Sequence, residues 1–133
     1  MTGAGLSVLL IEDNEQNRYL LTFLLEQRGH RVTSAIDGLR GIELAQTLVP
    51  DLILLDIQLP TLHGYAVAEA LRRLAILDTT PIVAVTSYAM PGDREKALAS
   101  GCDGYIEKPI DPDTFVSQVE AYIPASRIGG DRP

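Results

Sequence analysis

The feature that most narrows the possible folds is a repeated change of hydrophobic period. Short apolar runs, Leu6 to Ile11 (LSVLLI), Leu52 to Leu55 (LILL) and Pro81 to Val85 (PIVAV), alternate with longer stretches in which apolar residues recur every three or four positions. A brief continuous apolar run bounded by polar or turn residues fits a strand buried on both faces, as in a parallel sheet. Arg31 to Ala35 and Gly104 to Ile106 are weaker strands of the same kind. Between the strands, Leu20, Leu21, Leu24 and Leu25 mark one face of a helix running from Asn14 to Gly29, a residue suited to the left-handed cap. Asp37 caps a second helix carrying Leu39, Ile42, Leu44 and Ala45, which Pro50 closes. Tyr65, Ala68, Leu71 and Leu74 define a third, beginning at Gly64. A fourth has Pro91 in its first turn and ends at Gly101. The fifth starts with Asp111 as cap, Pro112 in the first turn and Asp113 at the positive dipole end, repeats Phe115, Val119 and Tyr122, and stops at Pro124.

Five strands alternating with five helices predict an α/β fold, a doubly wound five-stranded parallel sheet with helices on both faces. Right-handed crossovers leave few topologies, and the commonest is the flavodoxin-like order 2-1-3-4-5. Its crevice lies at the carboxyl ends of strands one and three. The chain of 133 residues is long enough for one domain, read as 6–123, with disordered ends at 1–5 and 124–133. A formal net charge of −7 with scattered basic residues argues against a nucleic-acid surface, which needs clustered Lys and Arg. The pairs in Arg72-Arg73 and Arg94-Glu95-Lys96 read as solvated helix faces. No apolar run approaches the length of a membrane span, and the amino-terminal run ends in acid too early for a signal peptide. The lone Cys102 cannot form an internal disulfide and reads as a small buried apolar residue; a cytoplasmic protein is expected.

In that topology the acids ending two runs converge. Glu12-Asp13 follows the first strand and Asp56 the third. Taken alone, Asp56 also fits, less well, a solvated residue at a strand rim. Together, carboxylates about 4 Å apart at an effective dielectric near 20 repel by about 4 kcal/mol per pair. Such a cluster raises its own pKa values or recruits a cation, and an all-oxygen donor set suits Mg²⁺. Thr86 ends the fourth strand and Lys108 follows the fifth. A hydroxyl and an ammonium facing metal-bound carboxylates complement a multi-oxygen anion such as a phosphoryl group, although Lys108 also serves as a simple ion-pair partner for the acids.

These positions resemble those of two-component response-regulator receiver domains over Leu6 to Ile123. The resemblance is carried by Glu12-Asp13, Asp56, Pro60, Thr86 and Lys108-Pro109, with Thr86 and Lys108 lying 30 and 52 residues beyond Asp56. The segment TSYAMPGDREKALASGCDGYIEKPID is similar to receivers that stand alone or belong to hybrid histidine kinases. The resemblance implies that Asp56 accepts a phosphoryl group from a phosphohistidine on a sensor histidine kinase or histidine phosphotransfer protein. It implies Mg²⁺ held by Asp13, Asp56 and the Gln58 carbonyl, with Glu12 acting through water. Lys108, the Thr86 hydroxyl and the N–H groups of Ile57 and Ser87 would take the phosphoryl oxygens. Gln58 and Tyr88 would tune water access during slow self-dephosphorylation. Thr86 and Tyr105 would be the switch, Tyr105 turning inward, and the surface of helix four, strand five and helix five would meet a downstream protein. The domain would be a monomer or weak dimer, a signalling module rather than a metabolic enzyme, with no direct nucleic-acid or membrane contact and only a short tail after the last helix.

Independently of the resemblance, the fourth helix has Leu98 as its one large apolar residue between Pro91 and its end, so its anchoring should be weak. Two departures from the family pattern stand out, Leu59 for a frequent Met and His63 for a frequent Asp before the glycine. His63 reads as a loop residue with a weaker capping role, and His30 as a surface residue. An aspartyl-phosphate phosphatase of the haloacid dehalogenase type would need a second Asp where Gln58 stands. A flavodoxin-like cofactor module would need a phosphate cradle where the acidic EDNEQN stands. A pseudo-receiver scaffold and a receiver cut from a hybrid kinase remain as alternatives.

Overall fold

The computed structural model describes residues 5–59, 63–87 and 90–123. Pro60, Tyr88, Pro124 and the ends at 1–4 and 124–133, on which several of the readings above fall, lie outside the described residues. The elements follow in strict alternation: β1 (Ser7–Ile11), α1 (Glu15–Gln27), β2 (Arg31–Ala35), α2 (Gly38–Leu48), β3 (Leu52–Asp56), α3 (Gly64–Arg72), a short 3₁₀ turn (Ala75–Leu77), β4 (Ile82–Thr86), α4 (Asp93–Ala99), β5 (Gly104–Glu107) and α5 (Phe115–Glu120). All strand pairs are parallel, in the order β2-β1-β3-β4-β5. The central strands β3 and β4 are buried along their whole length, as their unbroken apolar runs require.

The period of two in each strand divides the core into two layers. Val8, Leu10, Leu52, Leu54 and Val83 face α1 and α5, against Leu21, Leu25, Phe115 and Val119. Leu9, Ile11, Ile53, Leu55 and Ala84 face α2, α3 and α4, against Ala45, Val67, Leu71 and Ala97. A one-residue slip in any central strand would exchange the two layers, so burial itself holds the register that places the strand ends. Asp51 pins the start of β3, exchanging bonds of 2.8 Å with Ser7 through its N–H and its Oδ2.

The caps follow the sequence in part. Asp37 caps α2, accepting from the Arg40 N–H at 2.8 Å, and Gly29 has φ 95°. Residue 49 does what only Pro50 was assigned to do: Val49 ends α2 in the left-handed region at φ 45°. The starts of α4 and α5 lie later than their proline and aspartate signals. Pro91 precedes a left-handed Gly92, and α4 begins at Asp93, whose Oδ2 accepts from the Met90 N–H at 2.7 Å. Asp111 caps a preceding turn, with its Oδ1 accepting from Asp113, and Thr114 takes the cap position of α5. In both segments a proline-containing turn comes before the helix, so the local capping signal is displaced by one turn.

Two surface readings and one core reading are corrected. His30 is only 5% exposed, and its Nε2 lies 2.7 Å from Glu120 Oε2, joining the α1–β2 turn to α5. Arg72 is a half-buried clamp, donating to Gly101 O at 3.0 Å, Leu77 O at 2.9 Å and Asp103 Oδ2 at 2.9 Å. Leu39, placed on the apolar face of α2, is exposed, and Ile42 and Leu44 pack on the core instead. Cys102 is buried as expected, and burial pushes its thiol up to about 12. Among the described residues no helix is long and apolar enough to cross a membrane.

Candidate functional site

The carboxyl ends of β1, β3, β4 and β5 share one rim, and the residues singled out from the sequence meet there. Glu12 and Asp13 leave β1, Asp56 closes β3, Thr86 closes β4 and Lys108 follows β5. One carboxylate oxygen from each of Glu12, Asp13 and Asp56 lies within 4.8 Å of the others. Glu12 is 1% exposed and Asp56 4%, whereas Asp13 is open to solvent. Two buried acids beside an open one make a cup with an aqueous mouth. Backbone geometry holds it: the Asn14 N–H donates to Glu12 Oε2 at 3.1 Å, and Arg18 donates to the carbonyls of Glu12 at 3.1 Å and Asp13 at 2.9 Å. Arg18 escaped notice in the sequence because its target is main chain, which leaves no complementary residue type to read.

The electrostatics follow from crowding. Asp56 is pushed up to about 7, first by burial, then by its hydrogen bond to Glu12 and the charge of Glu12. Lys108 and the Gln58 N–H, 3.0 Å from Asp56 Oδ1, oppose the rise. Lys108 Nζ sits 2.9 Å from Glu12 Oε1 and 3.9 Å from Asp56 Oδ2, so its closer partner is Glu12. The ion-pair role is therefore present, and Asp56 keeps most of its charge penalty. Such a carboxylate is poised for a cation. Three acid oxygens without thiolate or imidazole form a hard donor set, and the residues fit Mg²⁺.

The phosphoryl-side groups are only partly as read. Thr86 is 1% exposed and its Oγ1 accepts from Gln58 Nε2 at 2.6 Å. The Ser87 N–H donates to Gln58 Oε1 at 3.1 Å. The Ile57 N–H is committed elsewhere, donating to Val85 O at 3.1 Å as β3 leaves the sheet. Facing the Asp56 carboxylate is the next N–H along, that of Gln58. Pairing persists one residue past β3, and this shifts the donor that faces Asp56 by one.

The loop after β3 depends on Gly64. A Cβ there would meet Ile57 O at 2.8 Å and Asp56 O at 2.9 Å, so only glycine lets α3 start against the strand end that carries Asp56. His63 is exposed and caps α3 through Nδ1, 3.3 Å from the Tyr65 N–H, and is not part of the acid cluster. Tyr105 is 8% exposed and faces inward, its hydroxyl without a hydrogen-bond partner among the described residues. In α4 only Ala97 is buried; Leu98 is 47% exposed, so this helix is anchored even more lightly than its sequence indicated.

Comparison with known proteins agrees with this geometry. Residues 8–120 match the family described as response regulator receiver domain. The chain is 40% identical over 117 residues to the polar-differentiation response regulator DivK of Brucella ovis, covering 88% of this chain and 95% of DivK. Vibrio cholerae chemotaxis protein CheY4 superposes with a TM-score of 0.85 at 26% identity, over 90% of this chain and 99% of its own. The receiver domain of a Pseudomonas aeruginosa sensor histidine kinase, solved with a magnesium ion coordinated in its active-site cleft, superposes at 0.82 with 33% identity, over 89% and 97%. A five-stranded sheet in the order 2-1-3-4-5, acids gathered at its rim and a family match across nearly the whole sheet lead to one assignment: the chain belongs to the response regulator receiver domains of two-component systems.

Proposed function

We propose that Asp56 is the phosphoacceptor of a phosphorelay. The observation that carries this reading is the convergence of Glu12, Asp13 and Asp56 with Lys108 and Thr86 on one rim. An Asp56 oxygen attacks the phosphorus of a phosphohistidine in line; the O–P bond forms as the P–N bond breaks, and the electron pair stays on the imidazole nitrogen. Asp13, Asp56 and the Gln58 carbonyl would hold Mg²⁺, with Glu12 acting through water, and the ion would offset charge on the phosphoryl oxygens. Lys108 then leaves Glu12 for a phosphoryl oxygen, and a bound cation would neutralise the acids in its place. The Thr86 hydroxyl and the N–H groups of Ser87 and Gln58 receive the remaining oxygens. Little acid or base work is needed, so positioning and electrostatics supply the rate. Water resets the domain slowly.

The readout is a change of protein contacts. Thr86 pulls the β4–α4 connection toward the phosphoryl group, with Tyr105 already inward beneath it, and the lightly anchored α4 follows. Arg94, Glu107 and Gln118 line a groove across α4, β5 and α5, the face proposed for a downstream protein. The donor partner is a sensor histidine kinase or histidine phosphotransfer protein, in the cytoplasm. The same chemistry serves a receiver within a hybrid histidine kinase.

Incubation with a small-molecule phosphodonor and Mg²⁺, followed by intact mass, tests the reading. The parent protein should gain one phosphoryl group and Asp56→Asn none. A parent that gains nothing, or rapid multiple turnover of phosphomonoesters, would overturn it.

A further inference from the structure

The Gln58 side chain lies across the phosphoryl side of the rim in an arrangement the metal role of its carbonyl does not explain. Its Nε2 donates to Thr86 Oγ1 at 2.6 Å while its Oε1 accepts the Ser87 N–H at 3.1 Å. The orientation of the amide is chemically determined, because a backbone N–H only donates and must face the carbonyl end. One carboxamide thus engages both β4-end groups that the phosphoacceptor reading gives to the phosphoryl oxygens. It also ties the segment after β3 to the end of β4, the two stretches that must part or shift when an anion enters between them.

We propose that the Gln58 carboxamide is an internal competitor for the phosphoryl site, a latch that must swing away before the Ser87 N–H receives a phosphoryl oxygen, and whose departure also ends the bond it donates to Thr86. The inference rests on the phosphoacceptor reading and adds a specific displaced group to it. For the Ser87 N–H a phosphoryl oxygen wins the exchange, because hydrogen bonds to a charged acceptor are roughly twice as strong as those to a neutral amide carbonyl; at Thr86 the amide only donates and leaves with the rest of the side chain. The latch still lowers apparent affinity by the fraction of molecules in which it is open. Gln58 is half-exposed, so the displaced amide has water to go to. Displacement also breaks the tie between the β3 and β4 ends, which couples phosphoryl arrival to release of the connection leading to α4.

The test compares the full chain with Gln58→Met, which keeps length without an amide, and with Gln58→Ala as a second variant should the first pack poorly. Beryllofluoride, which adds to a carboxylate as a phosphoryl mimic, is titrated at saturating Mg²⁺ while the Thr86 and Ser87 amides are followed by NMR. Loss of the latch should lower the half-saturating beryllofluoride by about tenfold, the factor set by roughly one net hydrogen bond. Before any beryllofluoride is added, the Ser87 amide resonance should already move upfield in the variants. A cross-link that only orders the two segments predicts the opposite sign, weaker binding once it is cut. Equal or weaker binding by both variants, with the parent still binding, would overturn the latch alone. An unmoved Ser87 amide would overturn it as well. No binding even by the parent would overturn the phosphoacceptor reading, and the latch with it.

Discussion

Replacing Asp56 by Asn should stabilise the cation-free protein, and by an amount that depends on pH. The Asp56 carboxyl goes from an ordinary 3.8 to about 7 on folding, through burial and the presence of Glu12. A carboxyl raised in this way binds its proton more tightly in the native state than in the unfolded one. Below pH 3.8 both states are protonated and nothing is lost. As pH rises from there, the unfolded state ionises first, and stability falls until the native carboxyl also ionises near 7. At about 1.4 kcal/mol per pH unit, the loss accumulates to about 4 kcal/mol by pH 8, of which about 2 to 3 kcal/mol is lost above pH 5. Asn keeps the shape and hydrogen-bonding capacity of a protonated Asp and cannot ionise, so the variant escapes this loss.

The assay is urea unfolding of the parent and Asp56→Asn in EDTA from pH 5 to pH 8. The variant should be the more stable, its advantage growing by about 2 to 3 kcal/mol across the range and levelling near pH 7. Saturating Mg²⁺ should narrow the gap at pH 8, because the cation binds the ionised parent and stabilises its native state by mass action. For the same reason, the affinity of the parent for Mg²⁺ should rise about tenfold per pH unit below 7 and flatten above it. Parallel stability curves for the two proteins would refute the reasoning, since they would mean that Asp56 is not an elevated carboxyl at all.

Lys108→Ala leaves the buried Glu12 without its ammonium partner and should cost about 3 kcal/mol at pH 8 by urea unfolding, less at pH 5 where the neighbouring Asp56 is protonated and no longer repels Glu12. Gly64→Ala drives a Cβ into the carbonyls of Asp56 and Ile57 and should cost about 2 kcal/mol or more in thermal unfolding, with a matching loss of Mg²⁺ affinity because Asp56 is displaced. Tyr105→Phe removes a buried hydroxyl without a partner among the described residues, and should leave stability unchanged or raise it by about 1 kcal/mol.

What could be read from the chain, and what could not, divides along the range of the interactions. The sheet order was legible because LSVLLI, LILL and PIVAV are buried on both faces, and only a few right-handed topologies accommodate them. The acid cup was legible because its members end strands, so topology alone brings Glu12, Asp13 and Asp56 together. Contacts between side chains on distant elements were not legible. His30 meets Glu120 ninety residues away, and nothing near either one marks the pairing. Arg72 spends its donors on the Gly101 and Leu77 carbonyls, which every residue carries. The step from Ile57 to Gln58 as the donor facing Asp56 turned on whether strand pairing runs one residue further, a boundary that apolar pattern does not resolve.

The same division explains why a rim this acidic coexists with a stable fold. Ile57 and Leu59 pack into the α2–α4 layer immediately after Asp56, and β3 is buried from Leu52 onward, so the chain cannot carry Asp56 out to solvent without dismantling the central strand. The energy that would expel a buried carboxylate is held by apolar burial on both sides of it, each large side chain contributing about 1.5 to 3 kcal/mol. Relief must then come to the carboxylate, as a proton or a cation or, in the proposed reaction, by conversion of the carboxylate into a mixed anhydride with phosphate. On the other side of the rim the restraint is far lighter. Ala97 is the one buried residue of α4, and the Tyr65 hydroxyl holds the start of that helix through Asp93 Oδ1 at 3.1 Å. Under the proposed phosphorylation, a domain rigid where it carries charge and loosely tied at α4 would convert a local change of charge into a change of surface, because α4 would yield before β3 does.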